Sequence, residues 1–550
     1  MRYIIGIDTG GTYTDGVLME NRSGRIRSRA KVATTHHDLG QCVSSALAAL
    51  LADGCRPEEV ARVAVSTTLA TNAVVEGRGA RVALFVFGNV RHFKLPVVAN
   101  IFLRGGHDIL GREEQPLDLE GLVDTLGRLR NEVDSYAVCS AMSINNPTHE
   151  LVAEEAIGLV DPKPVFCSHR VSKHPGMRER AATACLHARL MPLMEEFLLS
   201  IQRSMVRVGL GCPVTVICGN GTGAELDQVI RSAAITMASG PAATACFGSS
   251  VSPDQTALIV DVGGTTTDVC MIRDGRPVMN EQGCRIGEWQ THVEAIDMYT
   301  GAGGGDTLVD CRPVGSAFLA QQRVQPLCLV DSLPDPATWL GCGDRSVLVT
   351  ATVREGEGED AVLAHLRNHG PATRHMLSGE VGLSGILLEK RLERMAYRHQ
   401  VVLSGFTPTD ALHVLGRLEI GSQQQAEAAA RVLAQRLGMS TEAFCRHVCR
   451  LTEERIESII LKYLCRKTWG DQAAPFLDRR NNDLFSLNFS LRLPLIGIGA
   501  AGRCFLPSVA ERLDTTVYFP EHCEVGNAIG AALIGAAVHR TTSRNQEEHE

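Results

Sequence analysis

The sequence predicts an α/β protein with a duplicated core, and two observations carry that expectation. Residues Asp8-Thr9-Gly10-Gly11-Thr12-Tyr13-Thr14-Asp15 recur in altered form as Asp261-Val262-Gly263-Gly264-Thr265-Thr266-Thr267-Asp268. Each octet follows a short apolar, β-branched run, Tyr3-Ile4-Ile5-Gly6-Ile7 or Ala257-Leu258-Ile259-Val260. Each then leads into a second run, Val17-Leu18-Met19 or Val269-Cys270-Met271-Ile272. That pattern is strand, glycine turn, strand, used once per half. The second observation is the alternation of strand-like and helix-like segments through the first 170 or so residues, which reads as an α/β layer with a mixed sheet.

The elements follow in order. Apolar runs predict strands at 3–8, 16–20, 25–32, 60–66, 81–87 and 135–140, with helices near 38–53 and 118–132. Residues 179–201 read as one long helix passing through Pro192, expected to bridge the two halves. The second half opens with a strand at 214–218 and a helix begun by Ser239-Gly240-Pro241-Ala242-Ala243. Residues 312–400 are broken by Pro326, Pro334, Pro336 and Pro371 and by the acidic run Glu355 to Asp360, a pattern expected of an inserted subdomain with a solvated loop. Thr409-Asp410 opens a helix, and 423–437 and 441–465 keep apolar residues at helical spacing. A strand at 491–497, a helix at 505–513, a strand at 515–519 and a helix at 525–538 return the chain to α/β. The expected divisions are 1–178, 179–311, an insertion at 312–404, a helical region at 405–480, a return of the second domain at 481–538, and a polar, disordered tail at 539–550.

Composition narrows the partners. A chain of 550 residues exceeds a single core and predicts about three subdomains. The formal charge of -8 is that of an ordinary soluble protein, and scattered Lys and Arg argue against nucleic acid or anionic membrane as partners. No apolar run is long enough to span a bilayer, and Asp8 interrupts the first strand too early for a signal-peptide core, so a cytoplasmic location is expected. The 18 cysteines form no C-x-x-C pair, and Cys139, Cys185, Cys246 and Cys270 sit inside apolar patterns as small hydrophobes. Cys445, His447 and Cys449 cluster locally, but two ligands on one helix face do not close a metal site.

The glycine turns carry the chemistry. Paired glycines permit positive φ and let backbone N–H groups approach a phosphate with no Cβ in the way. Threonine hydroxyls add donors, and a carboxylate at the strand end can hold Mg²⁺. Gly10, Gly11, Thr12, Thr14, Gly263, Gly264, Thr265 and Thr266 are therefore expected on phosphates, and Asp8 and Asp261 on Mg²⁺ or an aligned water. Asp15 and Asp268 are expected to bond their own turns.

Three further loops are candidates. Gly497-Ile498-Gly499-Ala500-Ala501-Gly502 is a G-x-G-x-x-G between strand and helix, with Glu521 downstream. It lacks a two-halved dinucleotide domain around it and is read as a rest for adenosine. Gly303-Gly304-Gly305 follow Glu294, Asp297 and Tyr299; they suit an anion site or hinge, or else a mobile surface loop. Ser66-Thr67-Thr68-Leu69-Ala70-Thr71-Asn72 holds more polar side chains than one helix cap requires, so Thr67, Thr68 and Asn72 are expected to contact substrate, with Asp297 a weaker candidate.

In these residues the chain resembles the hydantoinase A/oxoprolinase family of the actin-like ATPase superfamily, which also holds sugar kinases and the Hsp70 ATPase domain. Gly6 to Asp15 looks like the family's first phosphate motif, and Ser66 to Ala73 matches a segment absent from sugar kinases. Ser239 to Ala243, Asp261 to Asp268, Gly301 to Gly305, Thr407 to Ala411 and Asn527 to Ala532 match in the family's order, so that the resemblance spans about residues 3 to 538. It implies two actin-like (ribonuclease H-like) domains around a nucleotide cleft, and ATP with Mg²⁺ as cofactors. It also implies ring opening of a cyclic amide or imide, or carboxylation of a ketone, with a second hydantoinase-type subunit and homo-oligomers as partners. The chain is shorter than typical hydantoinase A subunits, and Tyr299 stands where many members carry His. A small-molecule kinase and a regulatory actin-like ATPase are the alternatives.

Overall fold

The computed structural model describes the chain apart from residues 1, 12, 35–38, 53, 76–77, 172–174, 253, 281–282, 284, 287–288, 312–314, 353–359, 384, 398–399, 471, 473–476, 478–486 and 548–550. Contacts divide it into two compact units. The first comprises Met1–Ser250, Arg276–Asp297 and Asn527–Glu550; the second comprises Val251–Gly275 and Met298–Gly526.

In the first unit, Tyr3–Thr9 pairs antiparallel with Tyr13–Glu20 and parallel with Val60–Thr67. Ile26–Ala33 extends one side of this six-stranded sheet, and Val214–Ile217 followed by Gly223–Glu225 extends the other. Every residue of Tyr3–Thr9 is buried, which explains a continuous apolar run where a half-exposed strand would alternate. Val82–Phe87 and Ser135–Ser140 do not join this sheet. They form a second, all-parallel one, in the order Ala99–Leu103, Val82–Phe87, Ser135–Ser140, Val165–Cys167. The helix Met177–Arg207 belongs to this unit alone; Ala181, Cys185, Leu186 and Leu198 share one core with Ile5, Val65, Leu84 and Ala137. It therefore supports two sheets of one unit, where the sequence suggested a bridge between halves. Residues 179–250, expected to open the second domain, lie in the first unit because Val214–Ile217 finds its partner in Val60–Thr67.

In the second unit, Ala257–Val262 pairs antiparallel with Thr266–Arg273 and parallel with Leu495–Ile498, which pairs in turn with Val517–Tyr518. Met298–Ala302 lies antiparallel to Thr266–Arg273. Val347–Ala351, Val401–Gly405, Gln325–Pro326 and Ala372–Thr373 make a separate four-stranded sheet. With helices Ala361–His369, Arg374–Val381 and Gly385–Tyr397 it encloses its own core around Val349, Leu366, Leu377 and Leu392. The acidic run lies outside the described residues except Asp360, which caps the helix Ala361–His369. Gln423–Arg436 and Thr441–Trp469 are the main helices of the 408–469 region.

The last helix runs Gly526–Glu547. It continues past Arg540 into the polar segment expected to be a disordered tail, and there the Thr541 hydroxyl donates back to the Ala537 carbonyl (3.1 Å). No described helix is long and apolar enough to cross a membrane.

Candidate functional site

The duplicated octets fold alike. Each is an antiparallel hairpin whose two aspartates face each other directly, Asp8 opposite Asp15 and Asp261 opposite Asp268. In each, the first glycine N–H crosses the turn: Gly10 donates to the Tyr13 carbonyl and Gly263 to the Thr266 carbonyl, both at 3.0 Å. Like charges opposite one another on a ladder repel, so each pair calls for compensation.

In the first unit, Lys31 Nζ ion-pairs with Asp15 Oδ1 at 2.9 Å, which ties Asp15 to the next strand. Asp8 is only 4% exposed. Burial pushes its carboxyl above the usual range, against a hydrogen bond from Ser66. Ser66 Oγ donates to Asp8 Oδ1 at 2.7 Å and Asn527 Nδ2 donates to Oδ2 at 3.2 Å. Beside it, the Thr9 hydroxyl is buried with no partner among the described residues. A buried hydroxyl without a partner is costly unless a ligand or water meets it.

The Ser66 to Asn72 segment meets the same hairpin. Thr68 N–H donates to the Thr9 carbonyl (3.1 Å), and Asn72 Nδ2 donates to Thr68 Oγ1 (3.1 Å). The Cβ position of Gly11 is 3.8 Å from Asn72 Nδ2, and that of Gly240 is 3.7 Å from Asp8 Oδ1 and from Thr68 Cγ2. Asp8, Gly11, Thr68, Asn72 and Gly240 thus gather at one place.

Two expected contacts do not survive. Thr67 is fully buried; its hydroxyl accepts from Leu69 N–H (3.0 Å), while its backbone bonds Ser239 Oγ (3.1 and 2.8 Å). It braces the segment and does not face a substrate. Thr14 points to the opposite side of its strand, where its hydroxyl bonds Thr34 Oγ1 (3.1 Å) and Cys42 Sγ (3.2 Å) inside the core. Thr12 lies outside the described residues. Asp297, the last residue of the 276–297 segment, donates its N–H to the Val278 carbonyl at 2.7 Å.

In the second unit, the N–H groups of Gly264 and Thr265 have no acceptor among the described residues, as an anion-binding turn requires. Thr266, the next residue, opens the return strand Thr266–Arg273 and is half-buried. The carboxyl of half-buried Asp268 is pushed up to about 6 by burial, against a Thr300 hydrogen bond, and its Oδ1 has no partner among the described residues. The 499–502 loop lies directly on Asp261. A Cβ on Gly499 would overlap Asp261 Oδ1 and the Val262 carbonyl, and its φ of +86° also favours glycine. Ala501 N–H donates to the Val262 carbonyl at 3.3 Å, Ala500 is exposed, and Gly502 opens the helix Gly502–Arg512. The strand before this loop, Leu495–Ile498, joins the sheet of the second hairpin, which removes the dinucleotide-domain reading.

The triple glycine has a different role from either expectation. Gly303, Gly304 and Gly305 are buried, and their N–H groups are committed. Gly303 N–H donates to the Thr265 carbonyl (3.2 Å), Gly305 N–H to the Gly263 carbonyl (3.1 Å), and Gly304 N–H to Thr307 Oγ1 (3.0 Å). A Cβ on Gly304 would overlap the Gly263 carbonyl. These glycines back the second turn by close approach; their N–H groups are not free for phosphate.

Sequence reasoning missed Ser66 and Asn527 as partners of Asp8. Register carried a signal for the first, since Asp8 pairs with Ser66 across parallel strands. Asn527 opens the motif Asn527 to Ala532, but nothing local marked it as a partner of Asp8, 519 residues away in the chain. The one group of three metal-type ligands within mutual reach among the described residues is Glu150, Cys167 and His169, so Cys445, His447 and Cys449 form none. Glu150 is saturated: it accepts from Ser140 N–H (2.7 Å), Ser168 Oγ (2.6 Å) and His169 N–H (2.8 Å), and pairs with His169 Nδ1 (2.7 Å).

The caprolactamase subunit alpha of Pseudomonas jessenii is 27% identical over 351 residues, 55% of this chain and 48% of that protein. An uncharacterized protein of Methanocaldococcus jannaschii is 24% identical over 326 residues, 51% of this chain and 45% of that protein. The matches span about half the length of these relatives. Among solved structures, nucleotide-free acetone carboxylase superposes with a TM-score of 0.68 at 16% identity, covering 96% of this chain and 70% of that one. The ATP-dependent caprolactamase of Pseudomonas jessenii gives 0.62 at 20% identity, with the same coverage. The fold is thus the actin-like one. The profile of the hydantoinase/oxoprolinase N-terminal region matches residues 4–159, and that of hydantoinase/oxoprolinase matches residues 180–539. The chain belongs to the hydantoinase/oxoprolinase family.

Proposed function

We propose that this protein uses ATP and Mg²⁺ to activate the carbonyl of a cyclic amide or imide for ring opening. The observation that carries the reading is the grouping of Thr68 and Asn72 with Asp8 at the first of two matching aspartate hairpins. The donor set suits the cofactors: opposed carboxylates suit a divalent cation, and the Thr9 hydroxyl and the Gly264 and Thr265 N–H groups, which have no partner among the described residues, suit phosphate oxygens. Asp8 and Asp261 would hold Mg²⁺. Gly10, Gly11, Gly263, Gly264, Thr265 and Thr266 would cradle phosphates, and Gly499 to Gly502 would carry adenosine. Thr68 and Asn72 would donate to the substrate carbonyl, with Asp297 as a further contact.

ATP held by these residues would supply the phosphoryl group that activates the amide oxygen, and two waters would be consumed overall, one to open the ring C–N bond and one to release phosphate from the activated carbonyl. The residues contribute positioning and charge neutralisation, which supply most of the catalysis in phosphoryl transfer. The names of its relatives, a caprolactamase subunit alpha and an ATP-dependent caprolactamase, support a lactam substrate and a second subunit.

The test is a panel of hydantoins, 5-oxoproline, caprolactam, small ketones with bicarbonate, and sugars, scored by ATP consumption and product mass. Ring-opened acids are expected. Asp8→Asn should cut turnover at least about tenfold, the loss of one aligned charge contact. Asn72→Ala should spare Mg·ADP binding while lowering substrate-stimulated hydrolysis. Accumulation of a sugar phosphate, untouched by Asn72→Ala, would replace this reading with a kinase; a carboxylated ketone would replace it with a carboxylase.

A further inference from the structure

Asp8 is held by residues from two distant segments, and the packing that places one of them is unusually close. The last helix, Gly526–Glu547, carries Asn527 in its first turn. Two glycines set its position. A Cβ on Gly6, in the strand that bears Asp8, would overlap the Ala528 carbonyl, and a Cβ on Gly530 would overlap the Ala243 carbonyl in the helix Ser239–Val251. Backbone therefore rests on backbone at both contacts, leaving the helix no freedom to slide without a clash. Farther along the helix, a Cβ on Gly535 would come within 2.7 Å of Ala64 Cβ.

The Asn527 amide is then fixed at both ends. Its Nδ2 donates to Asp8 Oδ2 at 3.2 Å, and its Oδ1 accepts from the hydroxyl of Thr244, on the helix Ser239–Val251. That hydroxyl also lies 3.2 Å from the Gly240 carbonyl. The Asp8 carboxylate accepts only, so it takes the N–H end of the amide, and the Thr244 hydroxyl holds the oxygen end when its single proton points there and not to the Gly240 carbonyl. With Ser66 on the other oxygen, Asp8 has one side-chain donor on each oxygen among the described residues, which fixes its orientation.

We propose that Asn527, oriented by Thr244, is a positioning residue that aims the Asp8 carboxylate at the first phosphate turn. The inference rests on the nucleotide role proposed above for Asp8. It adds a residue that touches neither nucleotide nor substrate and acts through Asp8 alone.

The test compares Asn527→Leu, which keeps the volume and removes both hydrogen bonds, with Thr244→Val, which removes only the orienting hydroxyl. Positioning predicts that Asn527→Leu lowers kcat for ATP hydrolysis about tenfold with KM within about twofold, and that Thr244→Val does the same to a lesser degree. In an Asp8→Asn background, Asn527→Leu should add less than about a twofold loss, because the two residues act as one unit. Melting temperatures identify trivial unfolding.

A second measurement needs no activity. In the unliganded protein, the Asn527 side-chain NH₂ resonances, assigned by their absence in Asn527→Leu, should exchange slowly with solvent. They should shift in both Asp8→Ala and Thr244→Val. A kcat loss that follows the melting temperature, full additivity with Asp8→Asn, or an amide exchanging as fast as an exposed one would each overturn the proposal. A wild-type protein that neither binds Mg·ADP nor hydrolyses ATP would instead sink the nucleotide reading, and the amide measurement would still decide whether Asn527 holds Asp8.

Discussion

Asp8 and Asp261 occupy equivalent places in two hairpins. Asp8 accepts from the side chains of Ser66 and Asn527, and Asp261 Oδ1 lies 2.4 Å from where a Cβ on Gly499 would stand. Gly499 is the residue-scale weak point of the second hairpin. Its left-handed φ costs a side chain about 1–2 kcal/mol, and any Cβ would also press on Asp261 Oδ1. Gly499→Ala is expected to displace Asp261 and to weaken Mg·ADP binding more than it lowers the melting temperature. Calorimetric titration beside a thermal melt checks this. Unchanged nucleotide affinity would show that the Gly499 contact serves packing alone.

At the scale of elements, small residues rather than large ones decide how the first unit is joined. Gly6 and Gly530 let the last helix lie on a strand and on a second helix at backbone contact. Overpacking such a contact costs about 1–3 kcal/mol when the neighbours can yield, and more when the neighbour is backbone. Gly530→Ala should therefore destabilise the protein by about 3 kcal/mol or more, seen as a lower midpoint in denaturant unfolding at unchanged m-value. Gly127→Ala, in a helix with nothing within 4 Å of its Cβ position, is the control and is expected to be neutral or slightly stabilising. Equal effects from the two substitutions would mean that helix propensity, not the Ala243 contact, governs Gly530. The triple glycine follows the same logic: its value lies in close approach to the second turn.

At the scale of the whole molecule, both units bury their thiols. None of the described cysteines is exposed. Burial pushes the Cys139 and Cys449 thiols up to about 12, and those of Cys218 and Cys246 up to about 11. A thiol so raised is almost entirely protonated near neutral pH and reacts slowly. Ellman's reagent at pH 8 should therefore label few of the 18 cysteines in the native protein and all of them in denaturant. The number labelled over time then reports opening of the cores. Rapid labelling of most thiols under native conditions would contradict the packing described here.

The sequence by itself determined the paired hairpins, most of the helices and the family. Those rest on local signals: β-branched runs on either side of paired glycines, apolar residues at helical spacing, and motifs in a set order. It also singled out Thr68 and Asn72 by a polarity beyond what a helix cap needs, and the structure places both beside the first hairpin. Tertiary structure alone decided which polar residues were already committed. Thr67 and Thr14 look like ligands in sequence, but their hydroxyls bond neighbours inside the fold, and the amides of Gly303 to Gly305 are taken by the turn they back. Tertiary structure likewise assigned 179–250 and the last helix to the first unit, since a strand joins whichever sheet offers it a partner. The bond from Asn527 to Asp8 was invisible for the same reason: a hydrogen bond spanning 519 residues leaves no periodicity or spacing in the chain, and only the folded backbone brings its two ends together.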